Sequence, residues 1–132
     1  MSAELPKIIA VDFDGTLVED NFPEAGKPNL ELIQLLKTLQ GFGVKVILWT
    51  CRTGKHLFDA VHYCLGHDLI FDAVNENLPE VQKLYGGDTR KVFADLYIDD
   101  KAIPHCQSAL YWAHRLGLNY CAIRESNNQQ HP

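Results

Sequence analysis

Residues 7–13, Lys7-Ile-Ile-Ala-Val-Asp-Phe13, form a nearly continuous apolar run that ends on a carboxylate. Adjacent apolar residues without polar alternation suit a strand covered on both faces, as at the centre of a parallel sheet. Such a strand constrains the rest of the chain, because parallel neighbours need crossover connections and helices must cover both faces. The sequence supplies them in order. Asp14 to Pro28, rich in Gly, Pro, Asn and Asp, reads as loop. Asn29 is a good N-cap for a helix from Leu30 to Gln40, with Leu32, Leu35, Leu36 and Leu39 on one face and Gly41 and Gly43 at its end. Val44 to Trp49 is a second strand, and a helix from about Lys55 to Leu65 follows.

Leu69 to Val74 reads as a third strand, and Asn75 to Arg90 as irregular chain with a short helix near Glu80 to Leu84. Phe93 to Ile98 is a fourth strand. A helix from about Gln107 to Leu116 and a strand over Tyr120 to Ile123 complete the series. The expected fold is α/β, a three-layer Rossmann-like parallel sheet with helices on both faces. One domain over 1–124, followed by a polar tail over 125–132, accommodates all of it.

The polar residues fall where that fold can use them. In open parallel sheets ligands bind beyond the carboxyl ends of the strands. Asp12 and Asp14, Thr50, and Asp99 with Asp100 each follow an apolar run. Asp14-Gly15 by itself could be a plain turn. Four carboxylates at one sheet edge repel one another unless a cation joins them, and hard oxygen donors suit magnesium.

Ile-Ile-Ala-Val-Asp12-Phe-Asp14-Gly-Thr16 resembles the first motif of the haloacid dehalogenase (HAD) superfamily, an apolar strand followed by DxDGT. Val-Ile-Leu-Trp-Thr50 resembles its second motif and Leu-Tyr-Ile-Asp99-Asp100 its fourth, in the same order, so that the likeness spans residues 7–101. The resemblance implies a magnesium-dependent phosphomonoester hydrolase. Asp12 would be the nucleophile that forms an aspartyl phosphate, and Asp14 the acid and then base, its backbone carbonyl also on the metal. Thr50 would hydrogen-bond the phosphoryl group. Asp100 would ligate the ion, with Asp99 supporting it.

Many members carry a cap domain inserted after the first or second motif. The short segments Asp14 to Thr50 and Thr50 to Lys91 leave no room for one, so a capless protein with an open site is expected. The family's lysine could be Lys83, Lys91 or Lys101; likeness to short-spaced members favours Lys91. About eight extended residues would put Lys91 roughly 26 Å away, at the wrong end of the strand. A turn near Ala94-Asp95 is needed to shorten the path.

Arg52 follows Thr50 in the loop that opens the next helix, where it either touches substrate or belongs to a solvated helix start. Asn75 and Asn77 either line the mouth of the site or serve the structure. The spacing of His56, His62 and His67 is not that of a helical metal site. The scattered Cys51, Cys64, Cys106 and Cys121 lack zinc-site clustering and suit reduced thiols. Trp49 and Trp112 are expected in the core.

A net charge of −5 disfavours a nucleic-acid partner and points to a small phosphorylated metabolite or nucleotide. Ile8 to Val11 is too short for a signal h-region or a membrane span, so the expected compartment is the cytoplasm. Nothing in the sequence indicates an oligomer. Two other readings share parts of this pattern: a receiver-like phosphoacceptor module and a catalytically idle HAD-like scaffold. In receivers the acidic pair comes first and the phosphorylated aspartate later, the reverse of the order here.

Overall fold

In a computed structural model, which describes residues 4–102, 113, 114, 116 and 117, the apolar runs form a parallel sheet. Its elements run β1 (Ile8–Val11), α1 (Leu30–Gly41), β2 (Lys45–Leu48), α2 (Gly54–Leu65), β3 (Ala73–Val74), α3 (Pro79–Tyr85) and β4 (Leu96–Ile98). The strand order is β3-β2-β1-β4, all parallel. The chain therefore steps outward from β1 through β2 to β3, then returns to the far side of β1. That reversal puts the crevice between β1 and β4 at the carboxyl end of the sheet, where such folds bind ligands. Two compact units divide the chain, Met1–Asp100 and Lys101–Pro132. All seven elements belong to the first.

Every residue of β1 is buried, as its unbroken apolar sequence requires. Ile9 and Val11 face a core with Val46 and Leu48 of β2, Ile33 and Leu36 of α1, and Ala60 and Cys64 of α2. Ile8 and Ala10 face the other side, with Ile47, Val81 of α3, Val92 and Ala94. Helices thus cover both faces. Asn29 caps α1 by accepting from the Leu32 backbone N–H at 3.2 Å. The apolar seam of α1 runs through Leu32, Ile33, Leu36 and Leu39, whereas Leu35 is exposed, one step outside the stripe.

One device starts two of the strands. Asp72 donates its backbone N–H to the Val46 carbonyl and accepts the Val46 N–H on its carboxylate, both at 2.8 Å. Asp95 does the same with Ile8, at 2.8 and 3.0 Å, and also accepts from the Lys7 N–H. These clamps shorten the expected strands. The third strand, expected from Leu69, begins only at Ala73. Leu69 instead closes the end of α2 through its N–H to the Cys64 carbonyl, and Asp68 adopts a left-handed φ of 63°.

The fourth strand, expected from Phe93, begins at Leu96 after a bend at Asp95. The Tyr97 hydroxyl holds the chain before that bend, donating to the Val92 carbonyl at 2.7 Å and accepting from the Ala94 N–H. The expected strand at Tyr120 to Ile123, most of the helix at Gln107 to Leu116, Trp112, Cys106, Cys121 and the tail lie outside the described residues.

Asn77, only 1% exposed, is the polar hub of the α3 side. Its side-chain oxygen accepts from the Phe93 N–H at 2.6 Å, and its side-chain nitrogen donates to Asp88 and Thr89. Buried polar groups left without partners cost about 1–3 kcal/mol each. Asn77→Ala, which orphans the Phe93 N–H, is expected to lower stability by about 2–3 kcal/mol in urea unfolding. An unchanged midpoint would contradict the hub.

Candidate active site

Asp12 sits immediately beyond β1 and extends the ladder to β4, its N–H donating to the Ile98 carbonyl at 2.9 Å. Asp99 and Asp100 follow β4 directly, so strand pairing brings the three carboxylates together. One oxygen from each lies within 4.8 Å of the others. Two residues of the DGT turn hold Asp100 there. The Thr16 hydroxyl accepts from the Asp100 N–H at 3.0 Å. Gly15 has a φ of +83°, and a Cβ on it would overlap the Asp100 carboxylate. Glycine is thus required twice at this position, by backbone conformation and by close approach.

The Asp12 carboxyl is pushed up from its ordinary 3.8 to about 7. Burial is the largest cause, followed by the charge of Asp99; Asp100 adds its own charge and a hydrogen bond, while the Phe13 N–H pulls the other way. A three-carboxylate pocket of hard oxygens, with one member resisting ionisation, has the donor chemistry of a magnesium site. The residues fit such an ion.

Asp14 lives in the opposite environment. Arg52 forks onto it, Nε to Oδ2 and NH2 to Oδ1, both at 2.7 Å. The guanidinium also donates to the carbonyls of Pro23, Glu24 and His56 at 3.0–3.2 Å. Those bonds occupy all five of its N–H groups. The rings of Phe13 and Phe22 lie 4.8 and 5.1 Å from its central carbon. Arg52 is 3% exposed. Arg52 is thus a buried clamp on Asp14 rather than part of a solvated helix start, with its side-chain donors all engaged.

Thr50, at the end of β2, is held by Asn75 across the β2–β3 edge. The Thr50 N–H donates to Asn75 Oδ1 at 2.8 Å, and Asn75 takes a φ of 52° beyond β3. Its hydroxyl oxygen accepts from the Arg52 N–H at 3.1 Å. Asn77, the other candidate for the mouth, serves the core instead. Lys91 is not brought to the carboxylates. Its ammonium stands 5.3 Å from the Tyr97 ring centroid, in a cleft with Tyr85, Thr89, Val92 and Phe93. Lys83 lies in the last turn of α3.

Beside Asp14 is a cavity of about 340 Å³, lined by Asp14, Phe22, Cys51, Arg52, Thr53 and His56. Phe22 and His56 meet edge to face at 5.1 Å. The sequence pattern singles out neither Phe22, nor Thr16 as a partner of Asp100, nor the tie between Asn75 and Thr50. Only the DGT turn carries a signal, in the glycine that a positive φ favours.

No protein-family model and no curated protein matches the chain. Among solved structures it is similar to a conserved protein from Bacteroides thetaiotaomicron, at 35% sequence identity and a TM-score of 0.66. The match covers 88% of this chain and 95% of that one.

The raised Asp12 carboxyl makes a sign-definite prediction for the metal-free protein. The folded state holds a proton on Asp12 at pH values where the unfolded chain, at 3.8, does not. This contribution is fully present below 3.8 and is lost as pH rises through about 7. Thermal melts in EDTA are expected to lose midpoint between pH 5 and pH 8, and Asp12→Asn is expected to lose less. Equal pH slopes in the two proteins would refute the assignment.

Proposed function

We propose that the chain, which belongs to the same family as the conserved Bacteroides thetaiotaomicron protein, is a magnesium-dependent phosphomonoester hydrolase of the HAD type, a reading that rests on its own carboxylates. The observation that carries this reading is the gathering of Asp12, Asp99 and Asp100 at the strand-order switch, beside a clamped Asp14. Asp12, Asp100 and the Asp14 backbone carbonyl would hold the ion, with Asp99 behind them. Bound there, magnesium would offset the charge of the carboxylates and of the phosphoryl group.

The protein's own residues divide the work. An Asp12 oxygen attacks phosphorus as the bond to the leaving oxygen breaks, and Asp14 gives that oxygen its proton. Water then attacks the aspartyl phosphate, releasing phosphate and returning a proton to Asp14. The Arg52 fork holds Asp14 through both oxygens in the orientation from which it meets this water. Accepting the proton requires one fork bond to yield, and the three carbonyl bonds keep Arg52 in place while it does. The Thr50 hydroxyl, accepting from Arg52, keeps its own hydrogen for a phosphoryl oxygen. Lys91 is proposed as the phosphoryl lysine on family likeness, and must leave the Tyr97 ring to act.

The substrate class is a small phosphorylated metabolite or nucleotide, acted on in the cytoplasm. The test is phosphate release from a panel of phosphate esters with and without magnesium. Activity is expected to disappear with EDTA, return with magnesium, and be absent in Asp12→Asn, which keeps the shape but cannot attack phosphorus. Turnover by Asp12→Asn would sink the mechanism.

The lysine has its own test. Loss of a cation that meets developing phosphoryl charge costs on the order of 10²-fold in kcat. Lys91→Ala is expected to show that loss and Lys83→Ala to spare activity; the reverse result would reassign the role.

A further inference from the structure

The ladder between β2 and β3 ends at the pair Leu48 and Val74. Asn75 then takes a left-handed φ of 52° and ends the strand. Backbone amides just past the end of a ladder lose their partners unless something else accepts from them. The Thr50 N–H would be one of these, since a continued β3 would have offered it a carbonyl. Asn75 replaces that carbonyl with its side chain. Its Oδ1 accepts from the Thr50 N–H at 2.8 Å, while its own N–H donates to the Leu48 carbonyl at 2.8 Å. One residue thus grips the β2 segment at two points, at the carboxyl end of the sheet.

The residue type answers three demands together. A left-handed φ is uncommon for a residue with a β-carbon, and asparagine is among those that accept it best. The Thr50 N–H needs an acceptor one short side chain away from the backbone. The third demand is electrical. An aspartate would meet the first two, but it would add a charge to an edge that already gathers Asp12, Asp99 and Asp100. Glycine would meet the first alone. The other two side-chain clamps of the sheet, Asp72 on Val46 and Asp95 on Ile8, are carboxylates, and both lie at its amino end. At the carboxyl end the clamp is a neutral amide.

Thr50 has a second tie, from the Arg52 N–H to its hydroxyl oxygen at 3.1 Å. That bond leaves the hydroxyl hydrogen free to donate, and the direction in which it donates depends on where the Thr50 backbone sits. Resting on the proposed hydrolysis, in which this hydroxyl meets the phosphoryl group, we infer that Asn75 is a positioning residue of the active site. It fixes the Thr50 backbone across the β2–β3 edge, and through it the aim of the hydroxyl, without itself touching phosphate.

A double-mutant cycle tests this, using magnesium and the ester of the panel that the wild-type protein turns over fastest. Asn75→Gly keeps the left-handed turn and removes the acceptor. It is expected to lower kcat about tenfold, short of the roughly 10²-fold that a 1 Å misplacement can cost, with KM little changed. Thr50→Ala has no hydroxyl to direct. In that background the same substitution should change kcat less than about twofold, because residues that act through one another are not additive. Asn75→Asp keeps both the turn and the acceptor, so its kcat should stay within about twofold of wild type while its charge appears in KM. Equal losses from Asn75→Gly in the two backgrounds, or no loss in either, overturn the inference and leave the hydrolase standing. If Asn75→Gly fails to fold, Asn75→Asp decides: a retained kcat supports the oxygen tie, and a loss of about tenfold overturns it. If the wild-type protein hydrolyses no ester, the hydrolase reading fails and the inference falls with it.

Discussion

A guanidinium buried in a small domain must have every donor met, or it would not stay ionised and folded at tolerable cost. Arg52 meets that demand with a bidentate carboxylate and three backbone carbonyls, flanked by two aromatic rings. Its partners come from three separate segments: Asp14 from the turn after β1, Pro23 and Glu24 from the following loop, and His56 from the first turn of α2. The loop over residues 19–27 is otherwise tied down mainly by the Glu19 N–H to the Lys27 carbonyl and the Tyr63 hydroxyl on Gly26. Losing the guanidinium would release the loop, the cavity wall and the orientation of Asp14 together. Losing Asp14 would leave a buried cation half-paired, which is the costlier error.

The same amino acid is given opposite surroundings at two positions of one turn. Asp12 is crowded by carboxylates and partly desolvated, so its ionised form is disfavoured. Asp14 faces a guanidinium fork. The two carboxylates that flank Phe13 thus meet neighbours of opposite charge. Here the division follows from topology. The β1–β4 pairing sends Asp12 toward Asp99 and Asp100, while the tight turn at Gly15 directs Asp14 toward β2 and Arg52. A side chain at Gly15 would displace Asp100 and strain that turn in one step.

This distinction explains what could be read from the chain. The central strand, the Asn29 cap, the extent of α2 and the acidic set at the strand ends are local signals, each written in adjacent or periodic residues. The shortened β3 and β4 are not. Leu69, Ile70 and Phe93 have strand-like composition, but a strand pairs only where a neighbour reaches it, and the clamps at Asp72 and Asp95 set that point. Leu35 shows the same limit in α1, since a leucine can sit one step off the seam without changing the pattern. Arg52 is legible as a residue near the site but not as a buried one. Its five donors are met by residues 14, 23, 24 and 56, and no spacing rule joins them. Family likeness points to Lys91, whereas local packing against Tyr97 governs where its ammonium rests.

Between β1 and β4 the described chain inserts no further domain, only loops, the strands β2 and β3 and the three helices. A reaction carried out at the carboxylates would then need its leaving group confined by something other than a cap. The loop over residues 19–27 is suited to that task because Arg52 holds its backbone while leaving the Phe22 ring at the cavity edge. Backbone carbonyls bound to a buried cation fix a loop more rigidly than exposed side-chain pairs do, since exposed pairs are screened and contribute little. One arginine thereby links the orientation of the Asp14 carboxylate to the shape of the cavity wall. The two are mechanically coupled, and a substitution that loosens one loosens the other.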